Sequence, residues 1–310
     1  MKRKLISIVT PCYNEEENLD ELCRRIRVAM APLKYDYEHI VIDNASTDQS
    51  VNILKKLANK DKHLKVIVNT RNFGHIRSPY HALLQATGEA VIILASDLQD
   101  PPERIPDFIQ KWEEGYKVVI GVKTRSEETR IFYAVRTAYY RVLRTLSEVP
   151  LIENFTGFGL YDREVMNIVR GLNDPYPYFR GLIAELGFER AHIEFTQPRR
   201  RRGISKNNFY TLYDLAMLGL VGYTKIPLRL AAMLGFIAAL FSFLVGLVYL
   251  IYKLIFWAQF SVGLAPALIG LFFLGSVQLI FLGVAGEYIG AIYTQVMRRP
   301  LVVEKERINF

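Results

Sequence analysis

The stretch A-V-I-I-L-A-S-D-L-Q-D-P-P, residues Ala90–Pro102, decides the fold of this chain. Its first half is wholly apolar, as expected of a parallel-sheet strand that is covered on both faces. The strand ends in a turn that carries Asp97 and Gln99, and open α/β sheets bind ligands at this end of their strands. Carboxylate and amide oxygens suit a hard divalent cation, Mg²⁺ or Mn²⁺, that carries a phosphate. The stretch therefore predicts a diphosphate and metal site.

The polar residues of this turn have an alternative role, which is to cap the helix that follows. The sequence D-P-P-E, from Asp100 to Glu103, favours this role for Asp100. It combines a capping residue, a proline at the first helical position and a capping-box acid. Asp97 has no such capping role, so the predicted ligand site depends on Asp97 and Gln99.

Residues 1 to about 200 alternate short apolar, β-rich runs with helical patterns, which predicts a mostly parallel sheet with helices on its faces. The predicted strands are Leu5–Thr10, Glu38–Asp43, Leu64–Val68, Val91–Leu94 and Val118–Val122. Apolar residues at helical spacing from Leu19 to Met30 predict a helix between the first two strands. The expected fold class is α/β, with a Rossmann-like sheet.

Polar turns follow three of these strands, at Thr10–Glu15, Asp43–Asp48 and Ala95–Asp100. Because parallel strands end at the same edge of a sheet, we expect the three turns to lie side by side. Asp43 could then accept hydrogen bonds from a base or ribose, with groups near Pro11 and Tyr13 against the base. A strand stop at Pro11 and a simple turn at Asp43 are the structural alternatives, but the three turns together indicate a nucleotide site.

The motifs resemble those of family 2 glycosyltransferases of the GT-A fold, in particular the polyprenyl-phosphate glycosyltransferases related to dolichyl-phosphate mannose synthase. The resemblance extends over the whole chain and rests on P-C-Y-N-E-E, D-N-A-S-T-D, R-N-F-G, S-D-L-Q-D-P-P-E and R-R-R-G-I-S-K. It implies nucleotide binding by Pro11, Tyr13, Glu15, Asp43, Ser96 and Asp97, and metal binding by Asp97 and Gln99. It implies acceptor-phosphate binding by Arg200, Ser205 and Lys206, and a catalytic set of Asp97, Lys123, Arg200 and Lys206.

Three positions depart from the pattern of this family. Ala95 stands where the first acid of a D-x-D motif is common, and residues 75–81 replace a run of small residues. T-G-F-G-L at Thr156–Leu160 replaces G-D-F-R-L, which removes an acid, at Gly157, and an arginine. These departures bear on metal affinity and on the preferred sugar.

Two nearly uncharged stretches, about 228–252 and 262–286, each exceed the roughly 20 residues that cross a bilayer. A buried core helix is the alternative, but helices that are apolar all round and repeated in tandem favour membrane spans. Basic residues flank the pair, with Lys225 and Arg229 before it and Arg298 and Arg299 after it. This pattern predicts a multi-pass membrane protein with the catalytic domain and both termini cytoplasmic. The family resemblance implies that the membrane is the bacterial inner membrane.

The predicted organisation is a GT-A domain at 1–206, the two spans within 227–297 and a cytoplasmic tail at 298–310. A basic amphipathic helix at about 130–147 suits the membrane surface, although an ordinary helix packed on the sheet has the same pattern. A second amphipathic segment at 207–226 precedes the first span and is predicted to lie in the membrane interface.

The formal net charge is +8 and the mean hydropathy is +0.12. Cytoplasmic basic residues near anionic headgroups account for this charge, so no nucleic-acid partner is predicted. Cys12 and Cys23 are the only cysteines and suggest neither a disulfide framework nor a metal cluster. The expected partners are a nucleotide sugar, polyprenyl phosphate and the lipid bilayer, and a homo-oligomer is left open.

The resemblance implies an inverting transfer of a hexose, glucose from UDP-glucose, to polyprenyl phosphate at the cytoplasmic leaflet. The acceptor phosphate is already ionised at neutral pH, so an obvious general base is not required. One alternative is a processive polysaccharide synthase, which carries a Q-x-x-R-W motif, but neither Trp112 nor Trp257 stands in that context. The other alternative is a non-catalytic membrane scaffold that binds the lipid carrier.

Overall fold

The computed structural model describes residues 3–123, 155–198, 217–256, 264–297 and 299–310. They fall into two compact units. The first unit comprises the chain up to Leu212 together with Met297–Phe310, and the second comprises Tyr213–Val296. The predicted helix at 130–147 and the first ten residues of the predicted interfacial segment lie outside the described residues.

An eight-stranded sheet organises the first unit. Its strands are β1 (Leu5–Cys12), β2 (Asp36–Asp43), β3 (Leu64–Asn69), β4 (Ala90–Ile93), β5 (Val118–Lys123), β6 (Phe155–Asp162), β7 (Arg190–Phe195) and β8 (Glu304–Ile308). They are ordered β7-β5-β6-β4-β1-β2-β3-β8, and β3, β2, β1 and β4 are parallel. Strand β6 is antiparallel to both β4 and β5, so β5 runs in the same direction as β4. The mostly parallel sheet confirms the predicted α/β class.

Helices cover both faces of this sheet. They are α1 (Leu19–Met30), α2 (Ser50–Lys60), α3 (Gly74–Gln85), α4 (Ile105–Glu113), α5 (Arg163–Gly171) and α6 (Phe179–Glu185). Ile8 and Ile92 pack with α1 and α4 on one face, while their neighbours Val9 and Val91 pack with α3 and α5 on the other. Burial on both faces explains why these strands are continuous apolar runs.

The five predicted strands and the predicted helix Leu19–Met30 are all present. Strands β6, β7 and β8 were not predicted. Strand β8 pairs antiparallel with β3 and covers its edge, so the segment predicted as a tail contributes to the sheet. His81 Nε2 lies 2.5 Å from Glu304 Oε1, and Asn309 Nδ2 donates to the carbonyl of Leu64 at 2.8 Å.

The second unit contains α7 (Ile226–Ile255) and α8 (Leu264–Val296). Both coincide with the predicted spans, and Ile226–Ile255 and Gly270–Val296 are long and apolar enough to cross a membrane. In their most apolar windows, none of the residues that the structure describes is buried. Residues 217–223 are also helical, and Tyr288 Oη donates to the carbonyl of Thr224 at 2.7 Å.

Candidate active site

The three polar turns meet at the carboxyl edge of the sheet. Strand β1 has β2 on one side and β4 on the other, which makes it the topological switch point where open α/β sheets bind ligands. Cys12 lies opposite Asp43 in the β1–β2 register, and Val9 lies opposite Ile93 in the β1–β4 register. The turns that follow these strands are therefore neighbours, as the sequence predicted.

Each of these turns contains a residue in the left-handed region of backbone conformation. In the described part of the chain, five residues other than glycine have positive φ, and three of them are Asn14 (54°), Ala45 (61°) and Leu98 (61°). For residues such as alanine and leucine this conformation costs roughly 1 kcal/mol or more. Such strain concentrates at functional sites, where the surrounding structure holds it in place. Leu98 anchors its turn in the core, while Asp97 and Gln99 on either side are half-buried.

Hydrogen bonds hold the first two turns together. The Asn14 N–H donates to Ser46 Oγ at 2.8 Å, and Asn14 Oδ1 accepts from the Thr47 N–H at 2.7 Å. The Glu16 N–H donates to Asp48 Oδ2 at 3.2 Å. The role of Asn14 was not predicted from the sequence, although the tolerance of asparagine for positive φ was a usable signal.

Asp43 has one satisfied and one unsatisfied carboxylate oxygen. Its side chain is fully buried, and Oδ2 accepts from the Ser46 N–H at 2.9 Å. Oδ1 is buried and has no hydrogen-bond partner among the described residues, and burial raises the pKa of this carboxyl group. An unpaired buried acceptor is costly, so this atom is suited to receive a ligand N–H or O–H.

Asn44 connects the second turn to the R-N-F-G motif. Its Oδ1 accepts from Asn69 Nδ2 at 3.1 Å and from the Phe73 N–H at 2.9 Å. Its Nδ2 donates to Asn72 Oδ1 at 2.9 Å and to the carbonyl of Gly74 at 3.1 Å. These bonds fix the start of α3 beside Asp43. The role of Asn44 was not predicted from the sequence.

The predicted capping role of Asp100 is wrong. Asp100 Oδ2 instead accepts from the Ala95 N–H at 3.0 Å, which closes the turn after β4. The 3₁₀ turn that follows, Pro102–Arg104, has no side-chain cap from the described part of the chain. The carboxylate turns inward because it satisfies an N–H of its own turn. Burial raises the pKa of Asp100 to about 6; the nearby charge of Asp97 adds to this and that of Lys123 opposes it.

Asp97 also stabilises its own turn, a role that was not predicted from the sequence. Its Oδ1 accepts from the Gln99 N–H at 3.1 Å. Across the described ranges, no group of three or more His, Cys, Asp or Glu residues is arranged to hold a metal ion. A single carboxylate and an amide fit a cation whose other ligands are phosphate oxygens and water. Asp97 and Gln99 are therefore suited to a metal that arrives with a diphosphate.

The other predicted site residues either lie in the described part of the first unit or fall outside the described residues. Lys123 ends β5 at the same edge of the sheet and is close enough to Asp100 to influence its pKa. Pro11 and Tyr13 are half-buried, Ser96 is buried, and the Glu15 carboxylate accepts from Asn18 Nδ2 at 2.6 Å. The predicted acceptor residues Arg200, Ser205 and Lys206 lie outside the described residues.

The departures in T-G-F-G-L follow from backbone geometry. Gly157 has a φ of +103°, a conformation that an aspartate at this position would adopt only with strain. At Gly159, an added Cβ would lie 2.4 Å from the Val119 carbonyl oxygen. Gly159 is therefore required by the close approach of β5, whereas Gly157 is favoured by its own backbone conformation.

Comparison with known proteins agrees with this architecture. Residues 7–171 match the sequence profile of Glycosyl transferase family 2. The chain is 35% identical to an uncharacterized glycosyltransferase of Synechocystis, over 96% of this chain and 93% of that protein. It is 34% identical to the SfII prophage-derived bactoprenol glucosyl transferase of Shigella flexneri, over 97% of each. A prophage bactoprenol glucosyl transferase homolog of Escherichia coli is 30% identical over 97% of this chain and 98% of its own. The chain therefore belongs to glycosyl transferase family 2.

Proposed function

We propose that this protein transfers glucose from UDP-glucose to polyprenyl phosphate at the cytoplasmic leaflet, with inversion at the anomeric carbon. The observation that carries the proposal is its 34% identity to a bactoprenol glucosyl transferase over 97% of both chains. That match includes both candidate spans as well as the three turns, so it supports a lipid-linked acceptor in addition to a nucleotide donor.

The nucleoside binds at the ends of β1 and β2 in this proposal. The unpaired Oδ1 of Asp43 accepts a hydrogen bond from the base or the ribose, and Pro11 and Tyr13 contact the base. Asp97 and Gln99 hold a divalent cation, Mg²⁺ or Mn²⁺, at the end of β4. When bound, that cation neutralises negative charge on the departing nucleoside diphosphate.

The acceptor phosphate is the nucleophile, and it needs no general base because it is already ionised. A phosphate oxygen forms a bond to the anomeric carbon while the bond from that carbon to the donor diphosphate breaks. A single displacement of this kind inverts the configuration. Lys123 stabilises phosphate charge from β5, and Arg200, Ser205 and Lys206 position the acceptor.

The position of β8 supports a cytoplasmic catalytic domain with both flanks of the spans on one side. Strand β8 follows α8 in sequence, yet it pairs with β3 in the first unit. Chain segments that share one sheet cannot lie on opposite sides of a membrane. A hairpin of two spans satisfies this condition, and the basic flanks then favour the cytoplasmic side.

The test is to incubate the purified full chain in lipid nanodiscs with a panel of nucleotide sugars and short polyprenyl phosphates. We expect a product with the mass of one hexose added to polyprenyl phosphate, with UDP-glucose the best donor. Addition of a metal chelator should stop the reaction, and Mg²⁺ or Mn²⁺ should restore it. Products with many hexoses would indicate a processive synthase, and acceptor binding without turnover of any donor would indicate a scaffold.

A further inference from the structure

Arg180 is a cation of the first unit to which the sequence motifs assign no role. It lies in the first turn of α6, beyond the residues 7–171 that match the family profile. Its side chain is half-buried, and Nη1 donates to the Phe155 carbonyl at 3.3 Å. The guanidinium carbon lies 5.2 Å from the ring centroid of Tyr178. Among the described residues, no carboxylate forms an ion pair with Arg180, so its charge is not neutralised there.

Arg180 lies at the same edge of the sheet as the turn that carries Asp97 and Gln99. Phe155, which receives its hydrogen bond, begins β6 and lies opposite Val122 in the β5–β6 register. The next residue of β5 is Lys123, whose charge acts on Asp100. The positive charge of Arg180 is therefore added to an edge where a phosphate-bearing substrate is expected.

The order of the strands indicates which phosphate Arg180 meets. Neighbouring strands lie about 4.8 Å apart, and the sheet runs β2, β1, β4, β6, β5. Asp43 on β2 marks the nucleoside end, and the turn of Asp97 after β4 lies two strands, roughly 10 Å, further along. Arg180 is held one strand beyond, at β6. A nucleotide sugar that binds along this edge with its nucleoside at Asp43 has its diphosphate at β4. Its sugar and the attacking acceptor phosphate then lie near β6 and β5.

We propose that Arg180 binds the phosphate of the acceptor, beside Lys123, and orients it for attack on the sugar. This inference rests on the proposed function. A guanidinium presents paired N–H donors that match two phosphate oxygens, and the Tyr178 ring limits its rotation. The third oxygen forms the new bond to the anomeric carbon as the donor diphosphate leaves. Arg180 stays protonated throughout, and no proton is transferred.

The test compares Arg180→Ala and Arg180→Lys with the wild type, using the full chain in nanodiscs. We expect Arg180→Ala to lower kcat/KM for the acceptor by on the order of 100-fold, while the affinity for free UDP changes less than about 2-fold. Arg180→Lys should retain part of the activity. Added guanidinium should restore part of the activity of Arg180→Ala only. Direct binding of a short polyprenyl phosphate, measured without donor, should weaken in parallel.

Arg170→Ala is the matched control. Arg170 is also half-buried and donates to a backbone carbonyl, that of Leu84 at 3.3 Å, but it lies at the end of α5 away from the turns. This variant should lower the melting temperature without changing acceptor binding, and guanidinium should not affect it. Equal acceptor losses in the two variants, or no response of Arg180→Ala to guanidinium, would overturn the inference. A wild type that binds but never glycosylates polyprenyl phosphate would overturn the proposed function instead, and acceptor binding would still test Arg180.

Discussion

Two buried carboxylates on β2 have opposite surroundings. Glu38, near the start of the strand, accepts from Ser7 Oγ at 2.5 Å, from the Thr87 N–H at 2.7 Å and from Lys65 Nζ at 2.7 Å. Burial opposes its ionisation, but these bonds together outweigh that effect and lower its pKa. Asp43, at the end of the strand, keeps one oxygen unpaired, and burial raises its pKa.

The difference separates a carboxylate that stabilises the fold from one that is suited to bind a ligand. Buried polar groups in folded proteins are almost always paired, so an unpaired one needs an explanation. At the amino edge the partners of Glu38 all come from the chain itself. At the carboxyl edge the strained turns leave Asp43 incomplete, which is expected of a site that a ligand completes.

The largest effect is expected from Asp97→Asn. The amide keeps the shape of the side chain but loses the charge that attracts a cation, so turnover should fall by on the order of 1,000-fold or more. The melting temperature should stay close to that of the wild type. Asp107→Asn, an exposed residue of α4 paired with Arg104, is the control and should transfer normally. Near-normal transfer by Asp97→Asn would remove this residue from the site.

Glu38→Ala tests the role of Glu38, the carboxylate whose partners all come from the chain itself. It leaves Lys65 without its partner and removes the acceptor of buried donors, so the free energy of unfolding should fall by about 3 kcal/mol. Chemical denaturation of the purified protein measures this loss. Affinity for UDP, measured on the folded variant, should be unchanged. A parallel loss of UDP affinity would contradict a purely structural role for Glu38.

Asp43→Ala tests the binding carboxylate and should give the opposite result. Loss of a charged hydrogen bond should weaken binding of free UDP by about 1 to 3 kcal/mol, with little loss of stability. Calorimetric titration with UDP measures the affinity. Asp36→Ala, an exposed residue at the start of the same strand, is the control. Unchanged affinity in Asp43→Ala would mean that its free oxygen faces no ligand.

The smallest effect is expected from Asp100→Asn, as a change in the pH dependence of stability. The native pKa of Asp100 is about 6, above its usual value of 3.8, so the folded state holds the proton more tightly than the unfolded state. Stability should therefore decrease as the pH rises from about 4 to about 6 and then level off. Because of Asp100, the melting temperature of the wild type should be a few degrees lower at pH 7 than at pH 4. Removing the carboxyl group should abolish this contribution to the pH dependence. Identical pH profiles for the variant and the wild type would contradict this assignment.

The predictable part of the fold consists of segments with a strong local pattern. Strands β1 to β5 are dense apolar runs that end in turn residues, and the spans are long and uncharged. Strand β6 lacked such a signal because Gly157 and Gly159 disfavour a strand by themselves. Strand β8 carries four charged residues, Glu304–Arg307, and is a strand because β3 offers it an edge.

The candidate site also has a part that could be predicted from the sequence and a part that could not. Asp43, Asp97 and Gln99 were predicted from the turns that hold them and Lys123 from the family resemblance, and the structure places all four at one edge. The roles of Asn44 and Asp100 were missed or wrong. Their hydrogen-bond partners depend on turn conformations that no short stretch of sequence specifies.

The sequence by itself determined the parallel sheet, the order of the motif turns and the two apolar helices. Hydrophobic period and turn chemistry act over a few residues, so they can be read locally. Only the tertiary structure decided which buried polar atoms found partners. Ser7 and Thr87, which are 31 and 49 residues from Glu38 in the sequence, donate hydrogen bonds to it. No donor in the described chain forms a hydrogen bond to Asp43 Oδ1. Pairing at that distance depends on where the packed strands and helices bring each group, and this is what separates the binding carboxylate from the structural one.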